Sequence, residues 1–291
     1  MSAKNLLVEL FVEELPPKAL KRLGEAFAGA LFESLKVQGL AVADAKVAAY
    51  TSPRRLAAHI SGVSAQAADK SVSQKLMPVS VGLDATGAPT PALLKKLGAL
   101  GLDASAVPQL KRGNDGKAEA LFFDSVVKGA TLAEGLQKAL EEALARLPIP
   151  KVMAYQLADG WSTVNFVRPA HGLVALHGAD VVPISVLGLN AGRTTRGHRF
   201  EAKISPVSIK DADSYEAQME NEGAVIPSFA KRRAEIARQI DAAAARVGGG
   251  LKAIEDEALL DEVTALVERP NVLLGRFDEA FLEVPQECLI L

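Results

Sequence analysis

Cysteine is almost missing from this chain: Cys288 stands alone among 291 residues. An internal disulfide and a cysteine-based zinc site are both excluded, a pattern that suits a reducing compartment. Aromatic residues are scarce at 5%, with one tryptophan, while alanine is abundant, which points to helix surfaces built from small residues. No apolar run approaches the roughly 18 residues that a membrane span requires. The start, MSAKNLLVEL, lacks the apolar core and small-residue cleavage site of a signal peptide. A cytoplasmic protein with no membrane association is therefore expected. An excess of positive charge is also lacking. The net charge is −2, so attraction to nucleic acid has to come from a local patch and not from the whole molecule.

What is present is a globular composition, 49% hydrophobic and 23% charged, in a chain long enough for two or three domains. Asn5 to Val12 (NLLVELFV) is apolar and β-prone. After Pro16-Pro17, the residues Leu20, Leu23, Phe27, Leu31 and Leu35 recur at three- and four-residue steps, predicting an amphipathic helix that ends near Gly39. Lys46 to Thr51 and Arg55 to Ile60 read as strands around a Ser52-Pro53 turn. Together these make an α+β lobe, 1–64. Residues 65–128 are broken by Gly82, Gly87, Pro89, Pro91, Gly98, Gly101, Pro108, Gly113 and Gly116 around one helix, Pro91 to Leu100, and read as a small inserted subdomain. A connecting helix, 129–150, has Leu132, Leu136, Leu140 and Leu144 on one face and is ended by Pro148 and Pro150. In 151–291, strands are predicted at Thr163–Val167, Leu173–His177, Val181–Leu187 and Asn271–Arg276, and helices at Ser228–Val247 and Glu255–Glu268. No internal repeat or low-complexity tract occurs. The apolar ending VPQECLIL, without a polar tail, reads as that of a truncated chain.

A catalytic site is hard to place. Arg246-Val247-Gly248-Gly249-Gly250 and Gly188 to Gly192 lack the Lys-Ser/Thr of a phosphate loop and read as turns. There is no nucleophile elbow and no helical His-Glu-x-x-His pair. The histidines His59, His171, His177 and His198 are scattered, and Glu13-Glu14, Glu141-Glu142 and the acids from Glu255 to Asp261 read as helix starts or solvated helix faces. No catalytic residue, bound cofactor or metal is expected in this chain.

One segment does stand out. Gly192 to Lys203, GRTTRGHRFEAK, sets Arg193, Arg196, Arg199 and Lys203 against Glu201, a formal +3. Arginine forks, the hydroxyls of Thr194 and Thr195, and His198 on a glycine-hinged loop match what phosphate recognition needs. Arginine–carboxylate pairing that ties the loop to its own domain is the competing reading. Arg54 and Arg55 begin a strand, where alternation sends them to opposite faces, so that at most one reaches RNA. Arg168, beside His171, is a third basic point, equally readable as an arginine that anchors a turn through carbonyls. Phe166, Phe200 and Tyr155 are candidates for base stacking, though single aromatics in apolar runs are usually core.

The segments LLVELFVEELPPKAL (Leu6–Leu20), TSPRRLA (Thr51–Ala57), NFVRPAHGLVALHG (Asn165–Gly178), VLGLNAGRTTRGHRF (Val186–Phe200), PSFAKRRAEI (Pro227–Ile236) and DEVTALVERPNVLLGRFDEAFLEVPQE (Asp261–Glu287) resemble the beta subunit of bacterial α2β2 glycyl-tRNA synthetase. They follow the family's order along nearly the whole chain. Departures are Met153-Ala154-Tyr155, where the family usually has Met-Arg-Trp, and Gly172 and Arg269, where it has tryptophan. The resemblance implies an α+β fold similar to the B3/B4-type module of the phenylalanyl-tRNA synthetase beta chain, a mixed sheet with flanking helices. It implies an alpha-subunit partner that makes glycyl-adenylate with ATP and magnesium, and tRNA(Gly) as the RNA, with no role for DNA. On this reading the chain binds tRNA and helps assemble the two subunits. A purely structural assembly module, using the leucine faces at Leu132–Leu144 and Leu259–Val267, is the first competitor. A hydrolytic editing module is the second, disfavoured because a glycine pocket can exclude larger amino acids sterically.

Overall fold

The computed structural model describes residues 3–114, 116 and 118–289, so the final Ile290 and Leu291 of the apolar ending lie outside the described residues. The fold is mixed α+β and divides into two compact units: residues 66–131, and residues 1–65 together with 132–291.

In the larger unit the elements are β1 (Lys4–Val12), α1 (Pro17–Val37), β2 (Val47–Ser52) and β3 (Arg55–Val63). The smaller unit contributes β4 (Lys70–Pro78), α2 (Val79–Gly82), α3 (Pro91–Gly98), β5 (Lys111–Asn114) and β6 (Glu119–Val127). The larger unit resumes with α4 (Leu132–Arg146), β7 (Met153–Gln156), β8 (Thr163–Phe166), β9 (Ala170–His177), β10 (Asp180–Val181), β11 (Ser185–Val186), β12 (Leu189–Asn190), β13 (Thr194–Thr195), β14 (Val207–Ser208), α5 (Tyr215–Asn221), α6 (Phe229–Val247) and α7 (Glu257–Leu266).

The main sheet has the order β10-β9-β1-β3-β2. β1 is its middle strand, antiparallel to both β3 and β9, and every residue from Leu6 to Val12 is buried. This explains why NLLVELFV is a continuous apolar run and not an alternating one: both faces of the strand are covered. On one side lies α1, with Leu20, Leu23, Phe27, Leu31 and Leu35 all at 0% exposure. On the other, Leu7, Ala57, Val174 and Leu176 pack with Val207, Ile209, Ala212, Tyr215, Met219 and Val225. Because β9 pairs with β1, the segments 1–64 and 151–291, placed in separate domains by the sequence pattern, build one sheet.

The smaller unit is a three-stranded antiparallel sheet, β4-β6-β5, with Leu76, Leu93, Leu97, Ala106 and Leu121 as its core. Thr90 caps α3 by accepting from the Leu93 amide, and Pro91 occupies the first turn, where a missing N–H costs nothing.

Two strand expectations fail for local reasons. Val181–Leu187 splits because Pro183 removes a ladder donor. Leu187 (φ 54°) and Gly188 (φ 77°) then form the two-residue loop of the β11–β12 hairpin. Asn271–Arg276 is not a strand: its Val272 amide donates to the side-chain oxygen of Gln239 (2.8 Å), while Leu273 and Leu274 are exposed. Helix α5, which the sequence pattern did not reveal, is only seven residues long.

Candidate functional site

The basic loop and the end of β1 meet over a buried polar network. Its first member is Glu9, a lone carboxylate in the middle of the central strand, at 0% exposure. A buried carboxylate requires partners, and three converge on it. Thr195 Oγ1 and Tyr215 Oη donate to its two oxygens, and the Nε of Arg55 lies 3.5 Å away. That Nε has no hydrogen-bond partner among the described residues and faces Glu9 as an ion pair only. The second carboxylate is Glu268, just after α7. It accepts from Arg54 Nη2 at 2.9 Å and from Arg55 Nη1 at 3.2 Å.

Arg55 also donates to Ser52 Oγ (3.2 Å) and to the Arg196 carbonyl (2.6 Å). Arg54 donates to the Gly197 carbonyl (3.0 Å). Both guanidiniums lie over the Phe11 ring, at 5.3 and 5.6 Å, and both side chains are buried. The expected alternation does not hold at this pair because Arg54 sits in the turn before β3, outside the strand where alternation applies. Buried in this way, Arg54, Arg55 and Thr195 hold the loop in place; the forks of both arginines are spent on carbonyls and on Glu268.

Burial pushes the Arg55 guanidinium toward losing its proton, but Glu268 and Glu9 outweigh it, so its pKa stands above the ordinary value. Burial, and then Glu9, push the Tyr215 phenol well above its usual 10.0, against the opposing effect of Arg55. Arg232, fully buried on α6, donates to the carbonyls of Thr264 (3.0 Å), Ile226 (2.7 Å) and Thr51 (2.9 Å). Burial and the nearby Arg55 charge lower its pKa to about 10.

Above this network the loop cations divide. Arg193 is structural, donating to the carbonyls of Ala179 (2.8 Å), Lys210 (3.3 Å) and Ile209 (3.4 Å). Arg168 likewise donates to the carbonyls of Glu14 (2.9 Å) and Val167 (3.2 Å), the turn-anchoring arrangement. Arg196 is exposed, and its guanidinium has no hydrogen bond or ion pair among the described residues. Arg199 is 57% exposed and lies 3.9 Å from Glu13, which also meets His171 Nε2 at 3.0 Å. Thr194 is exposed at the start of β13. His198 Nδ1 accepts the amides of Phe200 (3.3 Å) and Glu201 (3.2 Å), which places its proton on Nε2. Phe11, Glu13, Arg54, His171, Arg196, His198 and Arg199 surround a cavity of about 350 Å³.

The loop is fixed from below. Gly197 packs on Gly223, and a Cβ at position 197 would lie 2.3 Å from the Gly223 carbonyl oxygen. The His198 amide donates to that same oxygen at 2.6 Å. Of the aromatics considered for stacking, Phe166 is buried and Tyr155 half-buried, with Tyr155 Oη accepting the Ala170 amide. Phe200 is 87% exposed. Glu9, Glu268, Tyr215 and Arg232 were not singled out from the sequence. The one legible hint was Glu9, a charge set inside an apolar strand.

No group of three His, Cys, Asp or Glu side chains among the described residues converges to hold a metal ion. The arrangement has an open, partly cationic rim on a rigid polar base, with the means to bind an anion.

The glycyl-tRNA synthetase beta subunit family matches this chain over residues 6–291. Similar proteins named glycine--tRNA ligase beta subunit include those of Dechloromonas aromatica (70% identical, all of this chain against 42% of that protein), Leptothrix cholodnii (72%, all against 40%) and Thiobacillus denitrificans (71%, all against 41%). The chain spans about 40% of the length of the curated relatives it matches. Match over nearly every residue makes the assignment plain: the chain belongs to the glycyl-tRNA synthetase beta subunit family.

Proposed function

We propose that this chain is the tRNA-binding and assembly portion of a glycine–tRNA ligase beta subunit, working in the cytoplasm in an α2β2 enzyme. Glycine activation, with its ATP and magnesium, takes place on the alpha subunit, and the RNA engaged here is tRNA(Gly). The observation that carries this reading is Arg196, an exposed guanidinium on a fixed loop, unpaired among the described residues and close to the weakly held Arg199. A charged fork left free at a cavity mouth is positioned for a phosphate. The five-stranded sheet flanked by helices supports assigning the larger unit to the B3/B4-type fold.

The test is Arg196→Ala combined with Arg199→Ala in the complete enzyme. KM for tRNA should rise about tenfold, as expected for two lost phosphate contacts worth somewhat under 1 kcal/mol each. Glycine-dependent ATP–pyrophosphate exchange should stay at the parental rate. An unchanged KM for tRNA would remove this loop from the RNA interface.

Assembly without RNA contact is a second reading, and one observation favours it: Leu259 and Leu266 on α7 are 57% and 59% exposed. The other leucine face is already used, because α4 packs its Leu132, Leu136 and Leu140 inward, beside α1. Leu259→Ser with Leu266→Ser should weaken copurification with the alpha subunit if α7 is an interface, and wild-type recovery would exclude it.

A further inference from the structure

Resting on the RNA-binding reading above, we propose that Phe200 and the cavity beneath it form a slot for a single unpaired nucleobase, so that the RNA meets this loop as a single strand. Phe200 is 87% exposed, yet it is not on a loose tip. Its amide donates to His198 Nδ1 at 3.3 Å, the Ala202 amide to the His198 carbonyl at 3.2 Å, and the Lys203 amide to the Glu222 carbonyl at 2.9 Å. The His198 ring meets it edge-on, with centroids 6.2 Å apart. An aromatic ring presented to solvent on a pinned turn forgoes the burial that normally stabilises such a side chain, and it needs little further ordering to accept a stacking partner.

The space under the ring has the composition of a base-binding site. A cavity of about 230 Å³ is lined by Phe200, the apolar side chains of Pro53, Leu266 and Val267, and the arginines Arg54, Arg199 and Arg269. Arg269 is held by Glu201 at 3.1 Å while remaining 51% exposed. Glu14 is also on the wall. Its carboxylate is exposed, with no partner among the described residues, and can accept from a base N–H. Aromatic and apolar surfaces take the faces of a base, the exposed Arg199 and Arg269 take the flanking phosphates, and a free carboxylate reads an edge that is available only when the base is unpaired. Within a duplex each base is stacked on its neighbours and paired at its edge, so only the outer face of an end pair is open to such a slot.

The experiment uses the complete enzyme with two probes, a single-stranded RNA containing 2-aminopurine and a blunt RNA duplex of equal length, at fixed salt. Phe200→Leu should weaken single-strand binding by about 10- to 100-fold, the range expected for one lost base stack, and leave duplex binding within twofold. Phe200→Trp should restore both the affinity and the quenching of 2-aminopurine fluorescence. If Phe200→Leu changes nothing while Arg196→Ala with Arg199→Ala weakens both probes, the base slot is wrong and the RNA-binding loop stands. Should neither variant alter either probe, the loop is not an RNA site and both readings fall. Equal losses on single strand and duplex with Phe200→Leu would also overturn the slot, since a ring acting only by supporting the loop gives that result.

Discussion

The Arg55 side chain is wholly closed to solvent. In the fold it is a buried cation between Glu9 and Glu268, with its fork spent on Ser52 and the Arg196 carbonyl. Exposure of an arginine is set by long-range partners, here 46 and 213 positions away along the chain, and no local pattern carries that information. Removing the charge leaves two carboxylates buried with a partner missing. Arg55→Ala should therefore cost about 3–5 kcal/mol, measured as a lower denaturant midpoint with the slope unchanged. Arg196→Ala, which removes an exposed guanidinium with no partner among the described residues and keeps the carbonyl that Arg55 uses, should leave stability within about 0.5 kcal/mol of the parent.

Tyr215 makes a pH-dependent test of the same network. Its folded-state pKa is raised above 10.0 by burial and Glu9, so the unfolded chain gives up this proton first. The stability it contributes is fully present below pH 10.0 and is lost as pH climbs through the folded-state value. Tyr50, raised by burial and by Glu216, acts in the same sense. Arg232, lowered to about 10, acts oppositely: its unfavourable burial as a cation is relieved as pH rises above that point. The Tyr215→Phe variant isolates one group, and its Tm, lower at neutral pH, should fall less steeply than the parent's beyond pH 10.0. Parallel Tm curves would mean that the phenol is not held in this environment.

Elements were legible where one physical signal dominated. The leucine and phenylalanine spacing of α1 marks its buried face because a long helix against a sheet must present one apolar stripe. The helix at α3 was expected from Pro91, its cap Thr90 emerging only in the fold, and Ser228 caps α6 by accepting from the Lys231 amide. What stayed hidden were pairings set by the sheet. Nothing local says that β9 lies beside β1, whereas the break in Val181–Leu187 is carried by Pro183 itself. The loop's support was equally hidden, since Gly197 and Gly223 touch only through the tertiary fold. A methyl group at 197 would collide with backbone, which cannot swing away as a side chain can. Gly197→Ala is expected to destabilise by about 1–3 kcal/mol and, by displacing the loop, to weaken tRNA binding further than the loss of a single arginine. Parental affinity in a folded Gly197→Ala chain would show that loop position is not critical.

For the whole molecule, the net charge of −2 makes location the deciding property of its cations. Of the six arginines that were candidates for phosphate, Arg54 and Arg55 are buried in the polar network and Arg168 and Arg193 are consumed by carbonyls, while Arg196 and Arg199 remain at the rim. A binding mode built on those two has a defined electrostatic signature, because each phosphate neutralised releases condensed counterions. The most direct measurement is the dependence of tRNA affinity on salt concentration for the complete enzyme and its Arg196→Ala, Arg199→Ala form. The logarithmic slope should become shallower by roughly 1.5 to 2, close to one unit for each arginine removed. Two parallel lines would contradict the assignment of this loop to RNA.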